Sequence, residues 1–254
     1  MTSTHPSFDP VAVARRLAAA HKGAPAVAHL DVLPPDRDNA FAVQDATLAA
    51  LGPVGGWKVG AKGPTMEPSC APLPARGVLA SGARLIGPPW HMRGIEVEVA
   101  VRLGRDLVPQ DGEPGADTVR AAVDAVLPAI EVVETRLADW RESVPLAQLA
   151  DLQSHGALIV GAPSALNVND LDLRKVKAYL AFDGQPVANT LGANPAADIW
   201  RLVGWLAWHC AQRGQPLRAG QVITTGSCTG MLFAPEGALV QAEVAGIGRI
   251  ELQF

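Results

Sequence analysis

Apolar residues recur at helical spacing near the start of the chain. "VAVARRLAAA" and "FAVQDATLAAL" gather them on one face, and their alanine content favours helix, so residues 10–51 read as helical. Asp36 or Asp38 is placed to cap the second helix, and Gly52-Pro53 to end it. The texture then shifts to glycine, proline and short β-branched runs, and residues 61–90 read as long loops over a site. Alternation follows in "RGIEVEVAVR". There Ile95, Val97, Val99 and Val101 share one face of a strand, and Glu96, Glu98, Ala100 and Arg102 share the other. "ADTVRAAVDAVLPA" reads as a helix stopped near Pro128, and "AIEVVETRL", "GALIVG" and "VKAYLAFDG" read as strands, with "DGQP" turning into "VANTLG". Ile199, Leu202, Val203, Leu206 and Cys210 form one stripe, making a helix of "PAADIWRLVGWLAWHCAQRG" that Gly214 stops. "QVITTGS", "ALVQAEVAG" and "GRIELQF" close the chain as strands. The pattern predicts an α+β fold, with a helical region over residues 1–54 and a β-rich body over residues 55–254.

Composition narrows the partners. The 254 residues are 48% hydrophobic and 18% charged, enough for a sizeable core. A net charge of −4 leaves no basic footprint for nucleic acid or an anionic membrane, although local positive charge still allows a small anionic substrate. Cys70, Cys210 and Cys228 are widely spaced with no CxxC pair, so neither a disulfide framework nor a zinc site is indicated. "MTSTHPSFDP" lacks a charged start followed by an apolar run, and the apolar "IWRLVGWLAW" is short and carries Arg201, so no membrane association is expected and the cytoplasm is the expected compartment.

Candidate chemistry begins with the two glutamates. Glu96 and Glu98 lie one pleat apart on one strand face and repel unless water or a cation lies between them; spacing alone favours water. Glu131 sits among apolar neighbours in "PAIEVVETRL", where an unpaired carboxylate is costly to bury. Glu96, Glu98 and Glu131 can together form an oxygen face for a hard dication such as Mg2+, or Glu131 can simply pair with Arg136. Glu134 is expected to be solvated, facing away from Glu131. In "GGWKVG", Lys58 is flanked by apolar side chains and glycines, and it is either a site lysine that binds a carboxylate and moves protons or an ordinary strand-start lysine. "TTGSCTG" offers backbone N–H groups and the Ser227 and Thr229 hydroxyls to a carboxylate or a water, and it matches no phosphate-loop pattern.

Taken in order, "GWKVG", "EVEVAVRL", "PAIEVVETRL", "DLQSHGALIVG" and "AGQVITTGSCTG" resemble the hydratase/decarboxylase branch of the fumarylacetoacetate hydrolase superfamily, from about residue 38 to the C-terminus. That branch includes 2-oxopent-4-enoate hydratases and 4-oxalocrotonate decarboxylases of aromatic-compound catabolism. The resemblance implies a mixed β-roll, barrel-like body with a small helical N-terminal region. It also implies Mg2+ or Mn2+ on Glu96, Glu98 and Glu131, a 2-oxo acid chelated through its carboxylate and oxo oxygens, and a homo-oligomer. A complex with a pathway partner enzyme is a further expectation. Lys58 matches the family lysine that binds substrate or shuttles a proton.

Two segments depart from the family. An acidic residue usually precedes "GVL", where this chain has Ala75 and Arg76; Asp-Asn-Ala-Ser is common where this chain reads Asp151-Leu152-Gln153-Ser154. Ser154 and His155 are carried forward as catalytic candidates, and Arg76, Ser227 and Thr229 as substrate ligands. The favoured expectation is a metal-dependent hydratase of 2-hydroxypenta-2,4-dienoate, with a decarboxylase as runner-up. An acylpyruvate hydrolase is less well matched, because "HKGA" and "HLDV" lack the His–Glu pair of that branch. A non-catalytic oxo-acid-binding subunit is the remaining alternative.

Overall fold

The computed structural model describes residues 8–87 and 89–254. The chain opens with α1 (Pro10–Ala20) and α2 (Arg37–Leu51). Asp9 caps α1 and Asp36 caps α2 through side-chain acceptance of first-turn N–H groups, and Gly52, at φ 118°, ends α2. The body follows as β1 (Val54–Gly60), β2 (Ser69–Pro74), β3 (Val78–Ala80), β4 (Ala83–Arg84), β5 (Gly94–Leu103), α3 (Ala116–Ala122) and β6 (Val123–Val133). Then come α4 (Pro145–Ala150), β7 (His155–Val160), β8 (Lys177–Phe182), β9 (Gln185–Leu191), α5 (Ile199–Gln212), β10 (Val222–Ser227), β11 (Leu232–Phe233), β12 (Leu239–Val244) and β13 (Gly248–Gln253).

Two mixed sheets result. The larger runs β2-β1-β10-β5-β6-β7-β3, with β11 also on β5, and the smaller runs β4-β13-β12-β8-β9. The edge strands β2 and β3 of the larger sheet are joined by the short turn Ala75–Gly77, which brings the two edges together and curls the sheet into a roll. No ladder joins β2 to β3 among the described residues, so the barrel does not close. The predicted mixed β-roll with a helical N-terminal region is therefore observed. Alternation gives the roll two faces. Ile95, Val97, Val99, Ile130 and Val132 point outward into the main core, which also takes in Val13, Leu17 and Phe41 of the helices. Leu73, Ala100, Leu127, Ala129, Leu158 and Val222 form a small apolar cluster on the inner face.

Two local expectations are corrected. The region 61–90, expected as loops, contains β2, β3 and β4. The helix expected to reach Pro128 ends at Ala122, and Pro128 lies inside β6. The proline is tolerated because its carbonyl, on the same edge as its missing N–H, accepts from Gly161 just past the end of β7. Burial, not propensity, decides this segment. The "DG" turn forms as expected, with Asp183 at φ 50° and Gly184 at φ 76° joining β8 to β9. Among the described residues, no helix is long and apolar enough to cross a membrane.

Close strand contact fixes one glycine. A Cβ on Gly56 would lie 2.2 Å from the carbonyl oxygen of Val222, its register partner on β10. Gly56→Ala is expected to cost about 2 kcal/mol or more, because backbone on both sides has to shift. Thermal unfolding followed by circular dichroism checks this.

Candidate active site

Strand register assembles the site. Glu96 on β5 is the cross-strand partner of Glu131 on β6, and Glu98, one pleat along β5, is the partner of Ser227 on β10. One carboxylate oxygen from each of Glu96, Glu98 and Glu131 lies within 4.8 Å of the others. Their face is the inside of the roll, above the small apolar cluster, rather than a wet surface. Glu98 and Glu131 are each 2% exposed, and Glu96 is half-buried.

The local contacts explain how such a cluster persists. Lys58 on β1 places its ammonium on Glu131, and the same Nζ donates to the carbonyl of Gln153 at 3.0 Å. Glu98 accepts from the Thr224 hydroxyl and, at 2.7 Å, from the Gly226 N–H. That N–H is aimed by a register irregularity in β10 between Thr224 and Ser227, with Gly226 at φ 97°. Asn194 braces it by donating to the carbonyls of Thr225 and Gly226 at 3.0 and 2.8 Å.

One ammonium offsets one of three carboxylates, which leaves the remainder under strong electrostatic pressure. Burial, then repulsion from Glu131, pushes the Glu96 carboxyl up to about 7. Burial, then Glu131 and Glu96, pushes Glu98 up to about 8. A cluster of hard oxygen donors with surplus negative charge and little water fits a hard dication.

Other expected residues are distributed as follows. Ser227 lies at the cluster as the register partner of Glu98, and its hydroxyl accepts from the Thr229 N–H at 3.3 Å. The Thr229 hydroxyl accepts from the Val97 N–H at 3.1 Å and donates to the Gly230 carbonyl, bracing β5. The Ser154 hydroxyl accepts from the Trp140 indole N–H at 3.0 Å. Arg76 and His155 line a cavity of about 530 Å³ together with His21, Trp90 and Glu134, and none of the three clustered glutamates nor Lys58 lines it. Burial, then the charges of Lys58 and Arg136, holds the His155 imidazole well below its ordinary pKa, so it is neutral at pH 7.

Two expectations about acids are overturned. Glu134 is buried rather than solvated, because its carboxylate accepts from the N–H groups of His91 and Met92, each at 2.8 Å. Arg136 pairs with Asp151 at 2.6 Å, not with Glu131. Asn194 was not singled out in the sequence, Gln153 entered there only as a departure from the family pattern, and Thr224 and Gly226 only as members of the "TTGSCTG" loop.

Residues 42–254 match the family model described as "Fumarylacetoacetate (FAA) hydrolase C-terminal". This chain belongs to that family. It is 33% identical over 164 residues to the 2-keto-4-pentenoate hydratase of Paraburkholderia xenovorans strain LB400, covering 65% of this chain and 60% of that protein. It is 30% identical over 159 residues to the 2-hydroxyhexa-2,4-dienoate hydratase of Comamonas testosteroni, covering 63% and 59%. The aligned stretch thus spans about three fifths of these relatives' length. In fold, the chain is similar to the 4-oxalocrotonate decarboxylase of Pseudomonas putida G7, complexed with magnesium and adipate. The TM-score is 0.83 at 22% identity, covering 96% of this chain and 97% of that one.

The raised carboxyl groups set a pH dependence. With folded pKa values near 7 and 8 against an ordinary 4.5, the folded state holds protons that the unfolded state has released. Stability of the metal-free protein therefore falls as pH rises from about 5 through 8. Mg2+ competes with those protons, so its affinity rises over the same window with proton release. Calorimetry in two buffers of different ionisation enthalpy measures both the affinity and the released protons.

Proposed function

We propose that this chain is a divalent-metal-dependent lyase that hydrates 2-hydroxypenta-2,4-dienoate, the enol of 2-oxopent-4-enoate. The observation that carries this reading is the buried convergence of Glu96, Glu98 and Glu131, with the Lys58 ammonium resting on Glu131. Mg2+ or Mn2+ held by these carboxylates would supply fixed positive charge to the carboxylate and 2-oxo oxygens of a 2-oxo acid.

The chain's own residues supply the rest. Lys58 can bind substrate or move a proton at Nζ, with the Gln153 carbonyl keeping a hold on it when Glu131 turns to a metal. Thr224 and the Gly226 N–H fix the Glu98 carboxylate. Leu73, Ala100 and Leu158 close the inner face of the roll below the cluster, which excludes water from that side. Ser227, at the end of β10, and Thr229, in the loop that follows it, are proposed to border the substrate. Assembly as a homo-oligomer, and with a pathway partner enzyme, belongs to the same proposal.

Decarboxylation of a 4-oxalocrotonate-type acid is the second reading, and a specific observation favours it. The turn Ala75–Gly77, where the family usually carries an acid, holds no carboxylate here, and loss of CO2 needs no acid to activate water. Arg76, expected as a substrate ligand, lines the separate cavity and does not stand at the carboxylates. Acylpyruvate hydrolysis finds less support. His29 is paired with Asp139 at 2.7 Å and His21 lines the separate cavity, so neither stands at the carboxylates.

A panel of 2-hydroxypentadienoate, 4-oxalocrotonate and acylpyruvates, with and without Mg2+ and with product NMR, decides among these readings. Hydration of the dienoate supports the proposal. Oxalate binding without turnover of any member points to a non-catalytic subunit. Glu98→Gln is expected to lower Mg2+-dependent turnover at least 100-fold. Above pH 8, where that carboxyl is ionised, it is also expected to leave the metal-free thermal midpoint unchanged or higher, because a buried repelling charge is removed. Lys58→Ala is expected to lower kcat at least tenfold while Mg2+ binds as tightly or more tightly, since Glu131 loses its competing ammonium. Metal titrations of both variants check these outcomes.

A further inference from the structure

We propose that Gln153 is a positioning residue for Lys58, acting through a strained turn that ties the lysine's environment to β2. The proposal rests on the reading that Lys58 takes part in turnover.

Leu152, Gln153 and Ser154 have φ of 48°, 51° and 57°, three successive non-glycine residues in the left-handed region. L side chains rarely adopt this region, so the surroundings have to over-determine the conformation. They do so on both flanks. The Arg136 guanidinium grips the residue before the turn and the residue after it. Its Nε donates to Asp151 Oδ1 at 2.6 Å, its Nη2 to the Asp151 carbonyl at 3.0 Å, and its Nη1 to the His155 carbonyl at 2.7 Å. Asp151 Oδ2 in turn accepts from the Arg136 N–H at 3.0 Å and the Thr135 hydroxyl at 3.1 Å, fixing the turn to the segment just beyond β6. Leu152 is fully buried against Ala18, Leu51 and Ala71.

Gln153 is the central residue of this frame and makes two contacts of different kinds. Its carbonyl accepts from Lys58 Nζ at 3.0 Å, and its side-chain amide donates to Ser69 Oγ at 2.6 Å. Ser69 opens β2, the strand paired with β1, and is the register partner of Gly60, two residues along from Lys58. The amide therefore locks the turn to the strand beside the one that carries the lysine. A lysine side chain has many rotamers to lose, and two fixed acceptors, Glu131 and the Gln153 carbonyl, hold this one. When Glu131 engages a cation, the carbonyl is the hold that remains. A site under selection for stability alone would relieve the strain with glycine. Here a glutamine occupies the left-handed position and spends its side chain on β2.

Gln153→Gly relieves the backbone strain and deletes the lock, whereas Ser69→Ala deletes only the lock. Each is expected to lower kcat about tenfold, with KM and Mg2+ affinity within twofold of the parent. The double variant is expected to be no worse than the poorer single, because both act through one contact. Ser69→Thr, which keeps the hydroxyl, is expected to restore turnover. The thermal midpoint of Gln153→Gly is expected to stay level or rise, which a merely structural lock does not allow.

An activity-independent reading accompanies the kinetics. Acetic anhydride labelling of Lys58 in the presence of Mg2+, followed by peptide mass spectrometry, is expected to run several-fold faster in both single variants. Parent-level labelling and kcat in both, or losses that multiply in the double variant, overturn the proposal. Lys58→Ala separates the two readings. If it turns over like the parent, the role of Lys58 falls and this proposal with it. If it is impaired while Gln153→Gly and Ser69→Ala match the parent, only the positioning role fails.

Discussion

Three carboxylates buried on one face of a curled sheet are the constraint on which the rest of this structure depends. A single charge removed from water without a partner costs several kcal/mol, and like charges within hydrogen-bonding range add to that cost. The chain meets it with one ammonium, one hydroxyl and one backbone N–H, and it leaves a surplus that protons or a dication can offset. This is a site whose energetics favour occupancy by a hard cation. The outward valines and isoleucines of the same strands make the arrangement affordable, since their burial in the main core holds β5 and β6 in register whatever the glutamates do.

The curl of the large sheet converts a row of side chains into a chamber. Ala75–Gly77 joins the two edge strands, so residues that alternate inward along separate strands converge. Small apolar side chains fill the bottom of that chamber and the carboxylates line it above them. The 152–154 turn adds a carbonyl that holds Lys58. Strain concentrated where a polar group meets a charged side chain is a recurring feature of functional sites, and here it is held in place by the buried Arg136–Asp151 pair.

Polar groups that look functional in the sequence divide into two populations. Glu96, Glu98, Glu131, Lys58 and Ser227 meet at one place. Ser154 holds the Trp140 indole and Thr229 braces β5, while Arg76 and His155 face a different cavity. Adjacency in sequence misleads here: His155 lies two residues past Gln153, yet entry into β7 turns its ring toward the other cavity.

By itself, the sequence determined the α1, α2 and α5 helices, the β5 strand with its bounds almost to the residue, and the identity of the three converging acids. Each of these rests on a local period or on an ordered set of motifs that alternation and capping make readable. Tertiary structure alone decided that Pro128 could sit inside a strand, because the neighbouring strand had ended where its N–H would have been needed. It alone decided that Glu134 is satisfied by backbone amides from a loop some forty residues earlier, and that Arg136 belongs to Asp151. It also decided that Gln153 contributes a carbonyl rather than a side chain to Lys58. Such choices depend on which backbone groups a distant segment leaves free, and no residue's own neighbours along the chain carry that information.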